Sequence, residues 1–162
     1  MATEGRSASS SSATTALESA GFVRLIARAD GDAIAASCLL ARALADRDTP
    51  YQITVGRTIA ERVARATAPT AAGDATVVIG TADGTDDEPI RLPATDRPAT
   101  LEAVDLVRDL GATPDPVLTL AGVVAAGGDP GAGESEWLVE RALERGLVDR
   151  RPGVAVPTAD PT

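Results

Sequence analysis

The spacing of apolar positions changes several times along the chain, and each change predicts an element. FVRLIAR (Phe22–Arg28) has the form of a buried strand. GDAIAASCLLARALADR (Gly31–Arg47) predicts a helix, with Ile34, Cys38, Ala41 and Ala45 along one apolar stripe and Arg42 outside it, free to reach solvent. YQITVGR (Tyr51–Arg57) alternates like a strand. TIAERVARATA (Thr58–Ala68) reads as a short helix, opened by Thr58 with Glu61 three residues on. ATVVIG (Ala75–Gly80) is a compact apolar run suited to a central parallel strand, and EPIRLP holds a second, shorter one. After Pro98 the pattern turns helical. One helix stops at Gly111, a more buried one covers Asp115–Gly128, and an amphipathic one covers Gly133–Gly146. GVAVPTADPT ends the chain as strand and coil.

Strands alternating with helices predict an α/β fold, a parallel β-sheet of about five strands flanked by helices on both faces. The Ser-rich start reads as a disordered tail over residues 1–13. The α/β domain then spans 14–150, and 151–162 read as a linker toward a further C-terminal domain.

Composition narrows the chemistry. The net charge is −9, His is absent, and all 15 basic residues are Arg. Dense carboxylates keep a protein dispersed where charges are heavily screened, so the balance suits a salt-adapted organism. It argues against gripping nucleic acid by bulk charge, though local Arg clusters remain able to do so. The lone Cys38 allows no internal disulfide and fits a reducing cytoplasm; in mid-helix it reads as a small core residue. No apolar run approaches the ~20 residues of a membrane span.

Acidic residues gather at the predicted strand exits. Asp30 and Asp32 follow the first strand, Asp83 follows ATVVIG, Asp96 lies in ATDRP, and Asp129 follows the buried helix. Sites in open parallel sheets form outside the carboxyl ends of the strands. Two readings stand open. Converging carboxylates repel one another and call for a cation such as Mg²⁺ or Mn²⁺, which would activate water for phosphodiester hydrolysis. Alternatively, these are ordinary loop residues, with Asp30 and Asp32 favouring a helix N-terminus. Without His, Ser-His-Asp and Cys-His pairs are excluded. GTADGT and GGDPGAG are glycine-rich, but neither has the phosphate-loop spacing.

The stretch RADGDA followed by IAASCLLARAL resembles the first motif, H-x-D-x-D-G, of the DHH phosphoesterase superfamily, and within it the RecJ-like exonucleases of archaea. Asp30 and Asp32 match, while Arg28 stands in the histidine position and Ala33 in the glycine position. Asp83 in VVIGTADG matches the second motif. In TDRP, Asp96 matches the D of D-H-H, and Arg97 and Pro98 stand where two histidines belong. Asp129, after LAGVVAAG, matches the last aspartate. The resemblance spans Gly21 to Gly131, and the family's second, substrate-binding domain lies outside it.

The family binds two Mn²⁺ through histidines and aspartates, and neither Arg nor Pro can ligate a metal. The resemblance therefore implies a RecJ-like protein of DNA replication or repair with a degenerate nuclease site. Arg28 and Arg97 would replace the metal charge in ion pairs with Asp30, Asp32 or Asp96, and the resemblance allows for this, since the superfamily includes catalytically inert RecJ-like proteins that act as scaffolds of the replicative helicase in complex with GINS. The alternative is an active exonuclease on single-stranded DNA, with Asp30, Asp32, Asp83, Asp96 and Asp129 holding Mn²⁺ or Mg²⁺. A third reading is a nucleotide-binding or regulatory module unrelated to DNA. The implied partners are single-stranded nucleic acid and a GINS-like replication protein, in the cytoplasm and away from membranes. If the family pattern holds, Asp30, Asp32 and Asp83 face one cleft, and Arg28 lies within ion-pair distance of an acid.

Overall fold

Parallel strands can be joined only by crossovers, and the chain supplies a helix after each of its first two strands. A computed structural model describes residues 3–81 and 89–151. Helix α1 (Thr3–Ser19) leads into β1 (Val23–Arg28), α2 (Gly31–Asp46), β2 (Tyr51–Gly56), α3 (Ile59–Ala66), β3 (Ala75–Ile79) and β4 (Ile90–Leu92). Then come α4 (Ala99–Asp109), α5 (Pro116–Ala125), a 3-10 turn at Gly133–Ser135 and α6 (Glu136–Glu144). The strands form one parallel sheet in the order β2–β1–β3–β4. The sequence pattern predicted about five strands; the described residues hold four, and the candidate strand in GVAVPTADPT lies outside them. Among the described residues no helix is long and apolar enough to cross a membrane.

Alternation along the strands divides the sheet into two faces. Val23, Leu25 and Ala27 of β1 and Ala75, Val77 and Ile79 of β3 pack on α2 and α4 in the main core. Ile26 and Val78 turn to the other face, where α3 lies across the strands. β1 has β2 on one side and β3 on the other, so the chain reverses its direction of winding beside β1. Crevices in such sheets open at this switch point. β3 ends at Gly80 with φ +85°, and a Cβ there would sit 2.9 Å from Ala33 Cβ and 3.1 Å from Arg28 Cβ. Glycine alone allows that exit beside the start of α2.

Two expectations are corrected. Residues 3–19 form α1 where a disordered tail was expected over 1–13. Composition hid the reason. Thr15 and Ser19 donate their hydroxyls to the carbonyls of Ser11 and Thr15, and Leu17 is buried in the core and anchors the helix end. On α2, the stripe Ile34–Cys38–Ala41–Ala45 is not the buried face. Ile34 and Ala45 are exposed, Cys38 is half-buried, and only Ala41 is covered. The helix buries Ala33, Ala36, Leu40 and Leu44 instead, because it is wedged between the sheet and both α4 and α5.

The cap expected at Thr58 is present. Thr58 Oγ1 accepts from Glu61 N, and the Glu61 carboxylate accepts from the N–H groups of Arg57 (2.8 Å) and Thr58 (3.3 Å). Those backbone donors hold the Glu61 pKa below its ordinary value. A carboxylate whose pKa falls on folding adds stability above its unfolded pKa, and that stability is lost as pH drops through the folded pKa. Glu61→Gln is therefore expected to be less stable than the parent near neutral pH and to converge with it in acid. Thermal melts across the carboxylate range check this.

Candidate functional site

A cleft of about 410 Å³ opens at the carboxyl ends of the strands, between the β1–α2 turn, the β4–α4 loop and the end of α5. Arg28, Asp30, Asp32, Asp96 and Arg97 line it. Asp129 does not; it is exposed, and its carboxylate accepts the N–H of Gly131 within its own loop (2.8 Å). Asp83 lies outside the described residues.

Each acid at the β1 exit already has partners. Asp30 is the N-cap of α2, its Oδ1 accepting from Ala33 N at 3.0 Å, and its Oδ2 accepts from Arg28 Nε in an ion pair. Asp32 is 3% exposed. Its Oδ2 accepts from Ala99 N (2.8 Å), and its Oδ1 accepts from Thr100 N (2.9 Å) and Thr100 Oγ1 (2.6 Å). These are orphan donors of the first turn of α4. Pro98 is the N-cap of that helix and has no side chain to accept them, so Asp32 caps α4 from another helix. A carboxylate at this end also meets the positive pole of the α4 dipole.

Arg97 does not pair with Asp30, Asp32 or Asp96. Its guanidinium lies 2.8 Å from Asp105, 3.3 Å from Glu102 and 2.6 Å from Glu134, tying α4 to the turn before α6. Burial works against its charge, but hydrogen bonds to Asp105 and Glu134 outweigh it and raise the Arg97 pKa above the ordinary value. Reading the sequence for strand exits missed Thr100, Glu102, Asp105 and Glu134. One signal did point to Thr100: a helix opening at R-P-A-T with no Ser, Thr, Asp or Asn at its cap needs an acceptor from elsewhere.

Among the described residues, the donors at the β1 exit do not fit a two-metal centre. The chain has no imidazole to offer a neutral donor. A guanidinium occupies one oxygen of Asp30, and backbone and hydroxyl donors occupy both oxygens of Asp32. Among the described residues, no three Asp, Glu, Cys or His side chains group closely enough to hold an ion. Arg28, paired with Asp30, and the exposed Asp96 line the cleft together.

No family model matches the sequence. An uncharacterized protein of Haloarcula marismortui is 42% identical over 144 residues, which are 89% of this chain and 34% of that protein. The crystal structure of exonuclease RecJ bound to manganese matches with a TM-score of 0.58 and 18% identity, over 85% of this chain and 47% of that one. The chain thus spans about a third of the curated relative's length and about half of the RecJ chain. At that identity the likeness is one of architecture: this chain folds as an α/β domain similar to that of RecJ.

Proposed function

We propose that this chain is a RecJ-like member of the DHH superfamily that serves DNA replication or repair by binding, with its nuclease site degenerate. The observation that carries the reading is the state of the β1 exit. Asp30 is paired with Arg28, and Asp32 has become the cap of α4. A two-metal hydrolase needs ligands free to hold both ions and to lower the pKa of the bridging water. A fixed cation beside Asp30 repels the incoming ion. The net charge of −9 supplies no bulk attraction for phosphates, which favours a protein partner of the GINS class over a long nucleic-acid track.

The test is hydrolysis of single-stranded DNA with Mn²⁺ in concentrated salt, beside calorimetric titration of the ion. No metal-stimulated cleavage is expected, and no Mn²⁺ binding tighter than about millimolar, the weak end of all-oxygen sites. Cleavage that needs Mn²⁺ and vanishes in Asp30→Ala, with the circular dichroism spectrum retained, would instead establish the exonuclease reading.

A further inference from the structure

The two edges of the sheet are built differently. β4 is three residues long and carries Arg91, features that discourage another strand from adding to it. β2 is six residues long and uncharged, with neither proline nor bulge. Its Tyr51, Ile53 and Val55 are 40%, 38% and 44% exposed. Their register partners Val23, Leu25 and Ala27 face the main core, so the three share the α2 side of the sheet at its open rim. Ile34 on α2 is exposed as well, and Ile59 and Val63 are exposed on α3, which packs against β2 from the other face of the sheet. Apolar side chains concentrated this way mark a contact surface.

The backbone defines what fits there. Val23 N donates to Pro50 O at 2.9 Å. Main-chain groups alternate in direction along a strand, so Pro50, Gln52, Thr54 and Gly56 turn theirs to β1. Tyr51, Ile53 and Val55 turn both N–H and C=O to the open edge. The next outward amides on either side are already used: Thr49 N donates to Leu44 O (2.9 Å), and Arg57 N donates to Glu61 Oε2 (2.8 Å). Among the described residues no strand pairs with the outer side of β2, and the free ladder there is three residues long and centred on Ile53.

We propose that β2 is the interface of a homodimer, in which two copies pair antiparallel about a two-fold axis at Ile53 and their sheets run on as one. In this register Ile53 faces Ile53, and Tyr51 of each copy faces Val55 of the other. Each pair exchanges both of its main-chain hydrogen bonds, which satisfies every outward group of the free ladder. A two-fold contact must be self-complementary, and a three-residue ladder with the same apolar character at both ends meets that condition. Charge points the same way. The chain carries −9, yet Arg57 is the only charged residue from Thr49 to Thr58, so two copies meet here without opposing rows of carboxylates. Screening in salt reduces the remaining repulsion between the two bodies.

Light scattering behind size exclusion in molar KCl is expected to show a dimer at micromolar chain concentration, and Ile53→Lys is expected to be monomeric with an unchanged circular dichroism spectrum. A monomeric parent, or a dimeric Ile53→Lys, overturns the proposal. Cross-linking reads the register in a Cys38→Ala background. Gln52→Cys of one copy would stand opposite Thr54→Cys of the other at about 4.5 Å between Cα atoms, within disulfide range. Each single variant alone leaves its cysteines on a diagonal, about 7–8 Å apart. A mixed disulfide formed when the two variants are combined supports the pairing. Dimers that cross-link equally well within either variant alone refute the Ile53-centred register.

Discussion

Asp32→Ala is expected to lower stability by about 2–4 kcal/mol, the cost of removing a helix cap and leaving buried donors unpaired. The N–H groups of Ala99 and Thr100 and the Thr100 hydroxyl would all lose their acceptor in a position closed to water. For a chain of this length the midpoint should fall by about 5–15 °C, read from thermal melts in concentrated salt. Asp32→Asn should recover only part of the loss, because its amide nitrogen would face a donor. The sign of the effect separates two roles. A carboxylate kept for metal binding destabilises the metal-free fold by repelling its neighbours, so its removal would leave stability unchanged or higher. A clear fall in the midpoint identifies Asp32 as the joint between α2 and α4.

Gly122→Ala is the second large effect expected. Ala is ordinarily the better helix former by about 1 kcal/mol. At this position a Cβ on Gly122 would lie 2.1 Å from Thr100 Oγ1 and 2.8 Å from both Thr100 Cβ and Cγ2. α5 would have to move off α4, and the Thr100 hydroxyl would be driven from Asp32. Overpacking of this kind costs about 1–3 kcal/mol, enough to reverse the propensity gain. Denaturant unfolding of Gly122→Ala, Thr100→Ala and the double variant measures the coupling. Because Thr100→Ala removes the closest clashing atom, the double variant is expected to be more stable than the sum of the singles. Strict additivity would mean that the two helices are not in contact at this point.

Much of the architecture follows from local pattern. β1, β2 and β3 lie within a residue of the expected strands, because short β-branched and aliphatic runs between turn residues admit little else. Thr58 and Glu61 specify the start of α3 by spacing alone. Gly111, at φ +78°, stops α4 where a left-handed residue was expected. Of the acids read at the strand exits, Asp30, Asp32 and Asp96 line one cleft and Asp129 does not, while Asp83, expected to face Asp30 and Asp32, lies outside the described residues.

The errors lie where a residue's meaning depends on a distant neighbour. α1 looked like a tail because Ser-rich composition says nothing of the pocket that receives Leu17. The stripe through Ile34 looked like the buried face of α2 because periodicity finds an apolar arc but not what lies against it; α4 and α5 press on the other arc. Arg97 was expected to pair with Asp30, Asp32 or Asp96, yet its partners are Glu102, Asp105 and Glu134.

Sequence alone determined the parallel α/β plan, the strand exits and the gathering of acids at them, because these follow from periodicities of two and 3.6 and from turn chemistry acting over a few residues. Tertiary structure alone decided which donors the described acids meet. Asp32 and Thr100 are 68 residues apart in the chain and 2.6 Å apart in the fold. A carboxylate flanked by glycine and alanine reads the same whether it awaits a cation or caps a helix, and only the arrival of α4, with two bare N–H groups and no cap of its own, shows which donors it accepts from.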